Sequence, residues 1–316
     1  MKSILVMGAA GQIGSELVPA MRKIYGNSNV IASDIRTDVS EVLKGGPFEI
    51  IDCLDTTKIK DVIAKYKIDT VYNLVALLSA VGEQNPQLSW KINVGGLMNL
   101  LELARTHKFA LFTPSSIGAF GLSTPHDNTP QDTIQRPNSI YGVTKVSGEL
   151  LCDYYYQKYG IDTRGVRYPG IISNVTPPGG GTTDYAVDIY YKAIQERKFT
   201  CNLKPETFLD MMYMPDCIRA GIEIMEANPA KLIHRNAFNV AAMSFEPEMI
   251  ASEIRKHIPE FTMDYDIDPV RQAIAESWPN KMDDTAAFEE WGWKHEYDLH
   301  KTTEDMLNVL SKKIKK

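Results

Sequence analysis

Apolar and polar positions follow two different periods along the first half of this chain. Short apolar runs rich in Val and Ile occupy residues 4–7, 30–33, 49–52, 70–76, 110–115 and 163–168. Between them lie longer segments with helical periodicity, including residues 55–67, 86–107 and 139–159. Strands that alternate with helices of this length indicate a parallel sheet with crossover helices. The predicted fold class is therefore α/β, with a doubly wound parallel sheet covered on both faces.

The second half begins with a segment that no regular element can contain. Pro177 and Pro178 are followed by three glycines, residues 179–181, which predicts a loop. Beyond this loop the pattern predicts a helix over 184–197, a strand and then a helix within 208–227, and a short strand over 237–241.

Chain length and composition suit one large α/β unit with a smaller appended part. The 316 residues are 44% hydrophobic, which is enough to bury a substantial core. We expect residues 1–174 to form the large domain, with residues 207–242 returning to it. Residues 175–206 and 243–316 would then form a smaller C-terminal domain that binds the substrate.

The charge and cysteine content exclude several classes of partner. With 34 Lys and Arg against 40 Asp and Glu, the net charge is -6, so no basic field favours nucleic acid. Cys53, Cys152, Cys201 and Cys217 are far apart and lack Cys-x-x-Cys spacing, so neither a disulfide framework nor a zinc site or other metal site is expected.

The N-terminal segment and the overall hydropathy suggest a soluble, cytoplasmic protein. The first apolar run leads into a glycine turn rather than into a signal-peptide cleavage site. No apolar run reaches the roughly 20 residues that a membrane-spanning helix needs. We therefore expect no association with a membrane.

Three glycines stand between the first predicted strand and the helix that follows it. Gly8, Gly11 and Gly14 have the spacing Gly-x-x-Gly-x-x-Gly. Glycine is needed where the backbone turns tightly, approaches a pyrophosphate, or allows a helix to pack closely on a strand. The helix N-terminus also attracts phosphates. This position at the start of a βα pattern predicts a dinucleotide site.

An acidic residue at the end of the second predicted strand specifies the type of dinucleotide. Asp34 lies 20 residues beyond Gly14, where a carboxylate can accept hydrogen bonds from the adenine ribose and would repel a 2′-phosphate. NAD is thus predicted over NADP, although Arg36 favours a phosphate, and Asp34 could be an ordinary turn residue. Asp52 and Cys53, after the third strand, are candidates to contact the adenine edge.

A tyrosine and a lysine four residues apart form the candidate catalytic pair. Tyr141 and Lys145 would share one face of a helix. A phenol with an ordinary pKa of about 10 acts as a base at neutral pH only when positive charge stabilises its phenolate. Lys145 can supply that charge. Ser115 and Ser116 close the fifth predicted strand, where a parallel sheet delivers side chains to its carboxyl edge.

Taken together, these motifs resemble the extended short-chain dehydrogenase/reductase family over essentially the whole chain. The resemblance implies a Rossmann domain that binds NAD, with Tyr141 as general base, Lys145 lowering the base's pKa and holding the ribose, and Ser116 bonding the substrate hydroxyl. By the same likeness, Asn93 supports Lys145 through a water molecule. Besides the three glycines, Asp34, Asp52 and Cys53, the predicted cofactor contacts are Gln12, Ile13, Arg36, Leu54, Leu74, Ala76, Asn93, Tyr141, Lys145, Tyr168 and Pro169.

Three further stretches of the sequence resemble one subgroup of this family in particular. They are residues 167–171 followed by 177–185, residues 114–121, and residues 277–279 with 283–284 and 291–293. Together they resemble the short-chain type of L-threonine 3-dehydrogenase, which is distinct from the zinc-containing medium-chain type. Members often have threonine where this chain has Ser116, and the related epimerases carry asparagine where it has Gly170.

This resemblance implies a substrate, a product and a partner. L-Threonine would be oxidised at its 3-hydroxyl to 2-amino-3-oxobutanoate, and threonine catabolism would be the process. Mostly neutral groups would grip the amino acid, and Trp278 would close over the site or, alternatively, only fill the core of the smaller domain. The side chains and backbone assigned to the polar ends of the substrate are Ser79, Gly180, Thr182 and Thr183. A homodimer formed through the helices of residues 86–107 and 139–159 is also expected from the family.

Two other functions stay open at this point. A nucleotide-sugar 4-epimerase or dehydratase would use the same catalytic pair, but Gly170 argues against it. A non-catalytic NAD(H)-binding regulator would keep the fold and lose the chemistry, which the intact set of Ser116, Tyr141 and Lys145 disfavours.

Overall fold

A parallel sheet forms the centre of the N-terminal half. The computed structural model describes residues 1–37, 39, 43, 45–176 and 181–314. Among these residues, six strands form the sheet: β1 (Ile4–Met7), β2 (Val30–Asp34), β3 (Phe48–Ile50), β4 (Thr70–Asn73), β5 (Ala110–Phe112) and β7 (Thr163–Arg164). They pair in the order β3-β2-β1-β4-β5-β7, and every pairing is parallel. The predicted doubly wound α/β fold is confirmed.

Helices connect the strands of this sheet, and the predicted segments 55–67, 86–107 and 139–159 all contain them. They are α1 (Gly14–Tyr25), α2 (Thr56–Tyr66), α3 (Ser79–Gln84), α4 (Pro86–Trp90), α5 (Gly96–His107) and α6 (Ile140–Tyr159). A π-helical turn, Lys91–Gly95, joins α4 to α5. Side-chain caps fix two of the helix starts: Asp55 accepts a hydrogen bond from the Lys58 amide, and Ser139 accepts one from the Gly142 amide.

Two of the predicted strands are each divided between two sheets. The run 110–115 gives β5 and then β6 (Ser115–Ser116), and the run 163–168 gives β7 and then β8 (Val166–Tyr168). Pro114 has no N–H to continue the first ladder. At Gly165 a Cβ atom would lie 2.2 Å from the Thr113 carbonyl oxygen, so the two segments of the chain pass closely there. Both segments therefore leave the central sheet at the same place.

A second, smaller sheet receives these strands. β6 and β8 pair in parallel, and β12 (Phe238–Asn239) adds to β8. A further sheet has the order β13-β11-β9, formed by β9 (Gly170–Ile172), β11 (Leu209–Tyr213) and β13 (Met243–Phe245). Ser116 at the end of β6 pairs with Tyr168 at the end of β8, and Gly170 begins β9 two residues further along the chain.

The rest of the chain is largely helical. Its elements are α7 (Tyr185–Glu196), β10 (Lys198–Cys201), α8 (Met214–Glu226), α9 (Pro247–His257), β14 (Thr262–Tyr265), α10 (Pro269–Ala275), α11 (Thr285–Trp291) and α12 (Leu299–Ile314). The predicted strand and helix within 208–227 are β11 and α8. Cys217 and Ala220 of α8 share a buried cluster with Val6 of β1 and Val18 of α1. The division into two domains stays a prediction. No helix in the described part of the chain is long and apolar enough to cross a membrane.

A buried carboxylate in β11 holds the segment that follows Trp278. Asp210 is 1% exposed and accepts hydrogen bonds from the amides of Met282 at 2.8 Å and Ala242 at 3.5 Å. Burial raises the pKa of Asp210 to about 7, because the apolar surroundings disfavour its charged form.

We expect this group to make the protein less stable as pH rises from about 4 to about 7. The folded state keeps a proton that the unfolded carboxylate releases near its ordinary pKa of 3.8, so the stabilisation present below that value is lost progressively up to the folded pKa. Urea unfolding at several pH values should show that Asp210→Asn flattens this dependence by on the order of 1 kcal/mol per pH unit. Equal slopes for both proteins would contradict the prediction.

Candidate active site

The glycine turn is built for close approach of the backbone. Gly8 has φ 77°, a left-handed conformation that suits glycine. A Cβ atom at Gly14 would lie 2.5 Å from the Gly8 carbonyl oxygen, and one at Gly11 would lie 3.2 Å from it. The missing side chains let the N-terminus of α1 fold tightly against the end of β1. The first amides of α1 are thereby directed to the place where a pyrophosphate is expected.

A cavity of about 440 Å³ extends from this turn along the carboxyl ends of β1 and β2. Eight predicted cofactor contacts line it: Gly8, Gly11, Gln12, Asp34, Arg36, Asp52, Cys53 and Ala76. Its other lining residues were not predicted: Ala10, Ile35, Ile51, Val75, Leu77, Leu78, Ile92, Thr176, Gly181 and Asp184. Apolar walls beside a helix N-terminus and an acidic strand end fit a dinucleotide.

The predicted ribose acceptor is held in place by backbone amides. Asp34 is 9% exposed, and its carboxylate accepts hydrogen bonds from the amides of Ala10 at 2.9 Å and Arg36 at 3.1 Å. The Arg36 guanidinium donates to the Ala10 carbonyl oxygen, and its Nε lies 3.7 Å from Asp34. Arg36 is thus engaged by the turn and its neighbouring carboxylate, and Asp34 faces the cavity.

Other predicted cofactor residues have different positions. The Leu54 amide donates a hydrogen bond of 2.9 Å to the Asp52 carboxylate. The Leu74 carbonyl carbon would lie 3.0 Å from a Cβ atom placed on Gly8. Ile13 and Pro169 line a second cavity described below. These residues surround the dinucleotide cavity without lining it.

A second cavity of about 170 Å³ adjoins the first, since Gln12, Ala76, Leu78, Gly181 and Asp184 line both. It collects the predicted catalytic and substrate residues Ser79, Ser116, Tyr141, Lys145, Thr182, Thr183 and Trp278, together with Tyr168 and Pro169. Gly180 lies outside the described residues. Residues more than 190 positions apart in the sequence thus meet in one small cavity beside the dinucleotide cavity.

Two of the three catalytic candidates, Tyr141 and Ser116, lie against Gly118, and the third, Lys145, lies beside the Tyr141 ring. A Cβ atom at Gly118 would lie 3.2 Å from Cε1 of Tyr141 and 3.5 Å from Oγ of Ser116. Ser116 Oγ accepts a hydrogen bond from the Gly118 amide at 3.1 Å. Lys145 Nζ donates to the Pro114 carbonyl oxygen at 2.7 Å and lies 5.5 Å from the centre of the Tyr141 ring. A phenol, an amine and a hydroxyl therefore lie near one another at the wall of this cavity.

The side chain of Asn93 is fully engaged by the protein. Its Oδ1 accepts from the Leu77 amide at 2.8 Å, and its Nδ2 lies 3.1 Å from both the Leu77 carbonyl oxygen and Thr144 Oγ1. The π-helical turn that contains Asn93 directs it between the chain after β4 and helix α6. Asn93 thus fixes the helix that carries Tyr141 and Lys145.

Two aromatic residues at the second cavity also belong to the core. The Tyr168 hydroxyl donates to the Cys217 carbonyl oxygen at 2.7 Å, and burial raises the pKa of Tyr168 well above its ordinary value. Its hydroxyl therefore points away from the cavity. Trp278 lines the cavity and is only 7% exposed, packed in the same buried cluster as Tyr185 and Met211. Trp278 is thus a core residue that also lines the cavity, and its closure over a substrate stays a prediction.

The sequence interpretation missed a carboxylate at the junction of the two cavities. Asp184 lines both, and its carboxylate accepts a hydrogen bond from the Gly181 amide at 2.7 Å. Its position next to Thr182 and Thr183 was the available signal. The expectation of a mostly neutral substrate cavity was thus incomplete.

Comparison with known proteins agrees with this architecture. A family model described as the NAD dependent epimerase/dehydratase family matches residues 4–241. A relative from Staphylococcus saprophyticus, an uncharacterised epimerase/dehydratase, is 55% identical over 100% of this chain and 99% of its own length.

Two solved structures are also similar over nearly the whole chain. An L-threonine dehydrogenase from Clostridium difficile is 56% identical, with a TM-score of 0.97, over 99% of this chain and 98% of that one. An L-threonine 3-dehydrogenase from a metagenome, described as monomeric, is 43% identical, with a TM-score of 0.92, over 98% of this chain and 99% of that one.

Proposed function

This chain belongs to the NAD-dependent epimerase/dehydratase family, and within that family we propose that it is an L-threonine 3-dehydrogenase. It is an NAD-dependent oxidoreductase, so the alternative of a non-catalytic regulator is set aside. The proposed reaction converts L-threonine to 2-amino-3-oxobutanoate. The observation that carries it is the 56% identity, over 99% of this chain, to a solved L-threonine dehydrogenase.

Tyr141, Lys145 and Ser116 would perform the proton transfer. When bound, NAD accepts the hydride that leaves C3 of threonine. Tyr141 as phenolate takes the proton of the 3-hydroxyl, so that the C3–O single bond becomes a carbonyl as the C3–H bond breaks. The ammonium group of Lys145, fixed by the Pro114 carbonyl oxygen, stabilises the phenolate. Ser116 donates a hydrogen bond to the substrate oxygen and holds it beside the base.

The walls of the second cavity suit the two charged ends of an amino acid. Thr182 and Thr183 belong to a 3₁₀ turn and Ser79 begins α3, and all three line this cavity, so hydroxyl donors are available for a carboxylate. Asp184 supplies a negative charge for the ammonium group. Gly170 allows this turn to approach, since a Cβ atom there would lie 2.7 Å from Thr183 Cγ2.

Absorbance at 340 nm with purified protein, NAD and L-threonine tests the proposal. We expect NADH to accumulate with L-threonine and far more slowly with L-serine or L-allo-threonine. A UDP-hexose should neither react nor raise the melting temperature. Stabilisation by the UDP-hexose with no oxidation of threonine would instead favour the nucleotide-sugar 4-epimerase or dehydratase.

Asp34 is expected to determine the preference for NAD. Asp34→Ser removes charge-assisted hydrogen bonds to the ribose, worth about 1.5–3 kcal/mol, so the KM for NAD should rise about 10- to 100-fold. The same change removes repulsion against a 2′-phosphate, so turnover with NADP should increase. The kcat/KM values for both cofactors measure this preference. Asp34→Asn keeps an acceptor oxygen but loses the charge, so it separates the loss of hydrogen bonds from the loss of charge repulsion. If the ratio of kcat/KM for NAD to kcat/KM for NADP is unchanged in both variants, the assignment of Asp34 is wrong.

We also propose that two copies of the chain pair through helices α4 to α6. Apolar side chains that are 38–62% exposed lie on these helices: Leu88, Trp90, Val143, Leu150 and Tyr154. Val143, Leu150 and Tyr154 lie on one face of α6, at helical spacing. Because a solved relative is described as monomeric, the pairing must be measured for this chain.

Light scattering at micromolar concentration should give a dimer for the unmodified protein. Leu150→Glu should give a monomer, because two carboxylates would face each other in the interface. Phe288→Glu on α11, where Phe288 is 59% exposed, is the matched control and should stay dimeric. A monomeric unmodified protein would rule the interface out.

A further inference from the structure

Lys145 also lines a third cavity, which holds neither the cofactor nor the substrate in the proposed reaction. This chamber has a volume of about 20 Å³, and its polar lining includes Asn73, Thr113, Thr144 and Glu149 as well as Lys145. Asn73 is 5% exposed, Thr144 2% and Glu149 5%, so the chamber is enclosed by buried polar groups. A polar site of this size is large enough for one water molecule.

Nearly all of the polar groups around the chamber already have partners. Glu149 accepts two hydrogen bonds from Arg167, at 2.8 and 3.0 Å, and the Thr144 hydroxyl donates to the Tyr141 carbonyl oxygen at 2.7 Å. Asn93, which also lines the chamber, is engaged by Leu77. These contacts leave the groups little capacity to hold a further molecule.

Asn73 has an acceptor atom without a partner among the described residues. Its Oδ1 is buried and accepts no hydrogen bond from any residue that the structure describes. Leaving a buried acceptor unsatisfied costs about 1–3 kcal/mol, so such atoms are normally paired with protein or with an ordered water. Asn73 ends β4, and this position places its side chain at the chamber.

Lys145 has donor capacity on the same chamber. An ammonium group carries three N–H donors. One bond from Nζ reaches the Pro114 carbonyl oxygen at 2.7 Å, and the ring of Tyr141 lies 5.5 Å away. An acceptor in the chamber would give Nζ a second fixed bond.

We propose that one ordered water molecule occupies this chamber, accepting a hydrogen bond from Lys145 Nζ and donating one to Asn73 Oδ1. Asn73 is then a positioning residue for the catalytic lysine, a part that the sequence interpretation gave to Asn93. The water and the Pro114 carbonyl oxygen hold the ammonium group between them, which keeps its charge directed at Tyr141. The effect on catalysis, though not the water site itself, rests on the proposed function. The charged groups around the site are Lys145, the Glu149–Arg167 pair and Asp153, which accepts a hydrogen bond at 2.9 Å from Asn236 of the chamber lining.

The water site can be tested without any activity. A crystal structure of the protein with NAD at about 1.5 Å should show one water within 3.2 Å of both Asn73 Oδ1 and Lys145 Nζ. Asn73→Leu, which fills the site with an apolar side chain, should lack that water. An empty chamber in the unmodified protein would overturn the proposal, whatever the substrate proves to be.

The positioning role is tested by the pH profile of kcat. Asn73→Leu should move the acid limb by about 0.5–1 pH unit to higher pH and lower kcat at pH 7 about 3- to 10-fold, with both KM values within about 2-fold. Asn73→Ser, which leaves a hydroxyl and room for a second water, should restore the limb. Thr70→Val, in the same strand but outside the chamber, is the control for a purely structural loss. If the acid limb of Asn73→Leu stays in place, or if Thr70→Val moves it equally, Asn73 does not position Lys145.

Discussion

Replacing Tyr141 with Phe is expected to lower kcat for L-threonine oxidation by about 10³-fold while leaving NAD binding nearly unchanged. Positioned general bases contribute roughly 10²- to 10⁴-fold to a rate, and phenylalanine cannot accept a proton. The ring stays, so the contact with Gly118 and the start of α6 should persist. Steady-state absorbance at 340 nm gives kcat, and titration calorimetry with NAD gives the affinity.

A second tyrosine of the same helix provides the matched control. Tyr159 ends α6 and lies outside both cavities, so Tyr159→Phe should leave kcat within about 2-fold of the unmodified enzyme. If Tyr141→Phe keeps more than about a tenth of the activity, Tyr141 is not the base. If the variant fails to bind NAD, its hydroxyl has a binding role that the proposed mechanism does not include.

Glu149→Leu is expected to lower the free energy of unfolding by about 3–5 kcal/mol, the usual cost of removing one partner from a buried ion pair. Glu149 and Arg167 are both almost fully buried, with side chains 5% and 7% exposed. The Glu149 carboxylate also accepts hydrogen bonds from Gln135 Nε2 at 2.7 Å and from the Ser115 hydroxyl. Its loss leaves the buried guanidinium of Arg167 without the carboxylate that it is hydrogen-bonded to, and urea unfolding would measure the cost.

Two comparison variants separate this cause from general damage. Removing both charges in Glu149→Leu/Arg167→Met should recover most of the loss, because no buried charge is left unpaired. Breaking the exposed pair Lys192–Glu196 by Glu196→Gln should cost less than about 1 kcal/mol, since both side chains are about half exposed, 46% and 53%. A double variant as unstable as the single one would show that packing, rather than the unpaired charge, causes the loss.

The positions of Tyr141 and Lys145 could be predicted from sequence spacing within a single helix. Tyr141 and Lys145 share a helix face because of their spacing, and Ser139 caps that helix, so the pair could be predicted without a structure. The glycines of the first turn, and Asp34 after the second strand, are equally local signals. Each depends on the conformation of a few neighbouring residues, which the sequence specifies directly.

The ends of two strands could not be predicted from the local sequence. Ser115 and Ser116 were predicted at the end of the fifth strand of the central sheet, but they form a separate strand paired with β8. The proline at 114 and the close crossing at Gly165 cause this change, and the crossing depends on a chain segment about 50 residues away. The direction of the Tyr168 hydroxyl toward Cys217 depends on α8 in the same way.

By itself, the sequence determined the α/β class, the position of the dinucleotide turn, the place of Asp34 at the end of the second strand and the shared helix face of Tyr141 and Lys145, because spacing within single elements encodes each of them. Only the tertiary structure decided which side chains meet across elements: Asp184 at the junction of the two cavities, Asn93 bound to Leu77, and Asn73 with an Oδ1 that no described residue pairs. Hydrogen bonding and burial of polar groups depend on neighbours that are distant in sequence, so no local pattern contains them.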